Sequence, residues 1–199
     1  MKIAIVDYRA GNLTSVRQAF IRLGTTVVIT DEAEQLATAD RIVVPGVGHF
    51  SNTASLTVSG MRAGILQAIE KDVPLLGICL GMQWFFQASQ EAPGVCGLGI
   101  MAGTCEHLPA EVKSPHVGWN QLEIQSASRL LRNVQSGSYV YFTHSFCAPI
   151  TAETSAVTEY GRSFAAAVER RNIFGVQFHP EKSGKAGMQI LGNFCADLC

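Results

Sequence analysis

Two hydrophobic rhythms alternate along the first half of the chain. Short apolar, β-branched runs ("KIAIVDY", "TTVVIT", "DRIVVPGVG" and "VPLLGIC") show no polar–apolar alternation, so each reads as a strand buried on both faces. The segments between them carry the helical period. In "NLTSVRQAFIRLG", Leu13, Val16, Phe20 and Leu23 recur at helical spacing and Gly24 ends the pattern. "DEAEQLATA" predicts a short helix opened by Asp31, and "SLTVSGMRAGILQAIEKD" is helical in its second half. Strands of this kind separated by helices predict a parallel sheet with helices on both faces.

The second half changes character. "GIMAGTCEHL", "NQLEIQ", "SYVYFTHSF", "SAVTEYG", "SFAAAVERR" and "NIFGVQFHP" are strand-like with little helix between them, and "SGKAGMQILGNFCADL" is a closing helix. The expectation is an α/β fold, with a mostly parallel central sheet, flanking helices and antiparallel edge strands in the C-terminal half. No linker interrupts residues 1–199, which read as one domain.

A chain of 199 residues buries roughly 70% of the surface its unfolded form exposes, enough to fold without staples. Charged residues are 16% of the total and the net charge is −1, without the basic excess that nucleic-acid binding requires. No leader pattern opens the chain, and no segment approaches the roughly 20 apolar residues of a membrane span. A cytoplasmic protein is expected. Cys79, Cys96, Cys105, Cys147, Cys195 and Cys199 include no CxxC pair and no accompanying histidine pair, so neither a metal nor a cofactor is expected.

In open parallel sheets, sites form at the carboxyl ends of the strands. "PGVGHF", "GICLGMQ" and "FHPEKSG" all fall there. Cys79 lies between Gly77 and Gly81 at a strand-to-helix junction, the pattern of a nucleophile elbow. Its sulfur would sit at a helix N-terminus that favours thiolate, with the Leu80 N–H as an oxyanion donor. The other reading is a buried cysteine between packing glycines. In "FHPE", His179 and Glu181 share one side of an extended segment, as a base and its orienter require; taken alone, the segment reads more readily as a surface turn, and the elbow cysteine shifts that balance. In "PGVG" the backbone at Val47 and Gly48 can offer a second oxyanion donor, or form a plain Pro-Gly turn. It lacks the lysine of a phosphate-binding loop.

"GICLGMQ" together with "GVQFHPE" resembles the class I (triad) glutamine amidotransferases. "DYRAGNLTSV", "PGVGHF", "PHVGWNQL", "YFTHSF" and "HPEKSG", in this order, narrow the resemblance to the glutaminase subunits of imidazole glycerol phosphate synthase. The resemblance runs from Lys2 to about Phe194. It implies Cys79 as nucleophile, His179 as base and Glu181 as its orienter. It implies a glutamine pocket from Gly46, Gln83, Glu91 and the backbone at Ser145 and Phe146. It implies ammonia passed to a (βα)₈ cyclase in a heterodimer that makes imidazole glycerol phosphate and an aminoimidazole carboxamide ribotide for histidine. Asn12, Trp119, Asn120 and Lys182 would then face the cyclase. Alternative resemblances are the glutaminase of pyridoxal phosphate synthase, which usually carries a different stretch at "PGVG", and the DJ-1-like cysteine fold, which lacks the terminal HPE. Two positions depart from the family pattern: Arg9 stands where glycine is common, and Phe146 where tyrosine is usual.

Overall fold

The computed structural model describes residues 1–196. In chain order its elements are β1 (Lys2–Val6), α1 (Leu13–Arg22), β2 (Thr26–Thr30), a 3₁₀ turn (Ala33–Thr38), β3 (Arg41–Val44), a 3₁₀ turn (Phe50–Thr53), α2 (Ala54–Val58), α3 (Met61–Glu70), β4 (Leu75–Ile78) and α4 (Leu80–Trp84). They continue with β5 (Ala88–Ser89), β6 (Thr104–His107), β7 (His116–Gln121), β8 (Glu123–Ile124), β9 (Tyr139–His144), β10 (Phe146–Cys147), β11 (Thr154–Glu159), β12 (Ser163–Arg170), β13 (Ile173–Val176), a 3₁₀ turn (Pro180–Lys182) and α5 (Gly184–Cys195).

An eight-stranded sheet in the order β2-β1-β3-β4-β13-β12-β11-β8 organises the molecule. The ladders from β2 to β13 are parallel, and those from β13 to β8 are antiparallel. The predicted strand character has a direct cause in the core. Along β1, Ile3 and Ile5 join one buried cluster while Ala4 and Val6 join the other; Val43 and Ile42 divide in the same way on β3. The central strands therefore carry apolar residues on both faces. One cluster gathers Phe20, Phe174 and Phe194 around α1 and α5, and the other gathers Trp84, Phe85 and Phe86 at the end of α4.

Three expectations change. The segment "SYVYFTHSF" does not join the edge of the main sheet: β9 pairs with β7 as a separate antiparallel ribbon, and β10, β6 and β5 form a small third sheet. The reason lies in exposure. Alternate residues of β7 and β9 are solvent-facing, so this ribbon covers the core with one face only. The strand expected from Asn120 begins earlier, at His116, because Gly118 at φ 142° interrupts the apolar signal without ending the pairing. The stretch expected to be helical only in its second half carries the additional short helix α2. The end of the expected closing helix, and Cys199, lie outside the described residues.

Candidate active site

Strands β3, β4 and β13 are neighbours, and their carboxyl ends bring the three sequence stretches together. Cys79 follows β4 at φ 53°, ψ −107°, a backbone conformation that costs a non-glycine residue strain and that recurs at nucleophile elbows. Its N–H donates to the Val176 carbonyl at 2.7 Å, tying the elbow to β13. Both flanking glycines are forced. A Cβ at Gly81 would overlap the Val44 carbonyl oxygen, and one at Gly77 would lie 2.7 Å from the Met82 nitrogen.

His179 Nδ1 and Glu181 Oε1 are 2.8 Å apart, with the two side chains 1% and 0% exposed. The His179 main chain is fixed on both sides: its N–H donates to Tyr141 O at 2.8 Å, and its carbonyl accepts from Ser183 Oγ at 2.6 Å. Burial works against a charged ring, but Cys79 and Glu181 together outweigh it and push the His179 pKa up to about 10. His179 Nε2 has no hydrogen-bond partner among the described residues, which leaves that nitrogen for the cysteine side. Asn12, expected on the partner face, turns its amide inward and donates to Glu181 Oε1. Its left-handed backbone, at φ 64°, makes that inward turn.

Above Cys79 lies a cavity of about 180 Å³, walled in part by Gly48, Leu80, Gln83, Glu91, Ser145 and Phe146. Gly46, expected among the pocket residues, is not in this wall. Its carbonyl instead accepts from the Leu80 N–H at 3.3 Å. The Val47 N–H donates to Ala10 O at 3.2 Å. Two of the expected oxyanion donors are therefore engaged within the protein, and Gly48, at φ 115°, holds the loop in this shape. Glu91 Oε2 accepts the Phe50 N–H at 2.7 Å, which orients its carboxylate at the cavity rim. Gln83 commits its amide nitrogen to Phe146 O at 2.7 Å and Gln177 Oε1 at 3.0 Å, so its own Oε1 is what remains for a ligand.

Gln177 is a site residue that motif reading passed over. It is fully buried and donates to Cys79 Sγ at 3.5 Å while accepting from Gln83. The available signal was its position two residues before His179, which places it on the same side of an extended segment.

Trp119 is 55% exposed and meets the Tyr141 ring edge-on at 6.0 Å. Lys182 places Nζ 5.6 Å from the same ring. Val117 and Tyr139 are exposed on the same ribbon, so its outer face is an apolar patch beside the His179 segment. Asn120 points elsewhere, with its amide donating to Glu159 O at 3.0 Å. Phe146 meets His107 edge-on at 5.0 Å. Arg9 adopts φ 63°, a left-handed conformation that glycine takes without strain.

Behind the pocket, His116 Nδ1 and His144 Nε2 lie 3.2 Å apart, and His144 Nδ1 lies 2.9 Å from Phe146 O. Burial lowers both pKa values, to about 4 and about 3 respectively. The unfolded chain therefore takes up these protons at a higher pH than the native state does. Their contribution to stability is fully present above about pH 6.5 and is lost as the pH falls toward about 3. Urea unfolding at pH 7 and pH 5 should show this loss, and His116→Gln should reduce it; an equal slope in the variant would refute the assignment. Among the described residues, no cluster of histidine, cysteine and carboxylate could hold a metal, and no helix is long and apolar enough to cross a membrane.

Comparison with known proteins adds independent evidence. The class I glutamine amidotransferase family matches residues 4–198. The chain is 45% identical to the imidazole glycerol phosphate synthase subunit HisH of Moorella thermoacetica, covering 96% of this chain and 93% of that one. It is 44% identical to the subunit of the same name from Deinococcus radiodurans, over 99% and 94%. A crystal structure of a glutamine amidotransferase superposes with a TM-score of 0.75 at 17% identity, over 97% of this chain and 99% of that one. PurLQS from Thermotoga maritima superposes at 0.74 and 17% identity, over 98% and 97%. From elbow to full-length relatives, the chain belongs to the class I glutamine amidotransferases, in the group of glutaminase subunits of imidazole glycerol phosphate synthase that serve histidine biosynthesis.

Proposed function

We propose that this subunit hydrolyses L-glutamine at Cys79 and hands the ammonia to a separate (βα)₈ cyclase. The supporting observation is the elbow cysteine set beside a buried His179–Glu181 pair under a cavity of about 180 Å³. The proton shared by Cys79 and His179 rests on the ring, and the Cys79 sulfur attacks the side-chain amide carbon of glutamine. His179 returns a proton to the departing nitrogen, so ammonia leaves and a γ-glutamyl thioester remains. Water then cleaves the thioester to glutamate and restores the thiol. Glu181 holds the imidazole. Glu91 pairs with the substrate's ammonium, and Gln83 Oε1 with the Ser145–Phe146 backbone places its α-carbon end.

Partner control follows from the engaged donors. With Leu80 N–H held by Gly46 O and Val47 N–H held by Ala10 O, neither group is available to the negative charge that develops on the amide oxygen. A missing donor costs about 10²–10³ in rate. A cyclase seated on Trp119, Lys182 and the exposed face of the β7–β9 ribbon would turn the 46–48 loop and free both N–H groups. The test is steady-state glutamine hydrolysis by the chain alone, with a cyclase, and with a cyclase carrying its ribotide. A free subunit already as fast as the loaded complex would refute this reading.

The nucleophile assignment has a labelling test. Diazo-oxo-norleucine should alkylate Cys79 and spare the other cysteines. Burial pushes the thiols of Cys105 and Cys147 up and that of Cys195 to about 11, while Cys96 is exposed but outside the cavity. Peptide mapping that found the label on Cys96 or Cys147 would overturn the ranking.

A further inference from the structure

Beside the 46–48 loop lies a polar group that the mechanism above leaves unused. Tyr8 is 6% exposed, and its hydroxyl makes no hydrogen bond among the described residues. The oxygen is pressed against Gly46: a Cβ on that glycine would overlap it and would lie 3.0 Å from Leu80 Cβ. Burial, with the nearby Cys79 adding to it, pushes the phenol pKa well up, so the group stays a donor.

An orphaned donor in the core is costly, and here it has a natural acceptor one peptide rotation away. The 46–47 peptide now points its carbonyl at Leu80 N–H and its N–H at the Ala10 carbonyl. Rotating that peptide by about half a turn would bring the Val47 N–H to the Cys79 side, as the proposed oxyanion hole requires. It would also swing the Gly46 carbonyl toward the Ala10 carbonyl, setting two acceptors face to face in a buried position. A donor must be present for the rotated state to hold.

We propose that the Tyr8 hydroxyl is the positioning group of this loop: it donates to the Gly46 carbonyl after rotation and so holds the Val47 N–H where the oxyanion forms. The engaged state leaves Tyr8 unpaired and the rotated state pairs it, so the hydroxyl biases the loop toward activity. This inference rests on the glutaminase reading above and deepens it.

Tyr8→Phe removes one oxygen and keeps the ring. In the complex with cyclase and ribotide, kcat for glutamine hydrolysis should fall about ten- to a hundredfold, with KM for glutamine within about twofold. The melting temperature should be equal or higher, because the variant no longer buries an unpaired hydroxyl. A residue that only fills space would give a lower melting temperature and no separation of kcat from KM. Wild-type kcat in Tyr8→Phe overturns the proposal, as does a loss of kcat accompanied by a matching loss of stability. Wild-type complex measured in parallel distinguishes the two levels: if it fails to hydrolyse glutamine, the glutaminase reading falls and takes this one with it, whereas an active wild type with an equally active variant removes the positioning role alone.

Discussion

Cys79→Ala loses all measurable glutamine hydrolysis while keeping the native fold and its melting temperature within a few degrees of wild type. No other group in the cavity can form the thioester. The structural cost is small because Sγ makes only long contacts, with Gln177 Nε2 at 3.5 Å and Thr143 O at 3.8 Å. Alanine meets the same backbone penalty at φ 53° that cysteine already bears, so the elbow should persist. Cyclase binding should also persist, since Trp119 and Lys182 lie on different elements from the sulfur. A coupled glutamate assay, circular dichroism and a binding titration on one preparation check all three statements. Residual turnover in a preparation free of wild-type enzyme would show that the nucleophile lies elsewhere.

His179→Ala should lower turnover by about 10²–10⁴. Glu181→Gln should cost less, and Asn12→Ala less again, because the chain of contact runs from Asn12 through Glu181 to the ring. Asn12 and His179 converge on the same carboxylate oxygen, so losing Asn12 leaves the carboxylate able to hold the ring but free to swing. The graded order is the signature to seek. A double variant of Cys79 and His179 should be no worse than Cys79→Ala alone, since the two act as a unit. Equal losses at His179, Glu181 and Asn12, each with a collapsed melting temperature, would mark the set as structural.

The strands of the parallel half were legible because burial on both faces leaves a dense apolar record in Ile3, Ala4, Ile5 and Val6. The elbow was legible for a related reason: the overlaps at Gly77 and Gly81 are local, and local steric demands are written in residue type. The β7–β9 ribbon was less readable, since one-sided burial and Gly118 dilute its signal. Asn12 looked like a surface residue of the first turn. Nothing local announces that its amide meets a carboxylate 169 positions away. Gln177 was hidden for the same reason, as its partners Gln83 and Cys79 are 94 and 98 positions away.

The order of strands carries a consequence for the chain while it is being made. β13, among the last strands synthesised, belongs in the middle of the sheet, between β4 and β12. Until it inserts, β4 has an open edge and Cys79 lacks both the Val176 carbonyl that anchors its N–H and the histidine that follows that strand. Domains form as the chain emerges N-terminus first, so a nascent or truncated subunit carries its thiol without its base. Such fragments should consume no glutamine until β13 and the His179–Glu181 segment that follows it have joined the sheet.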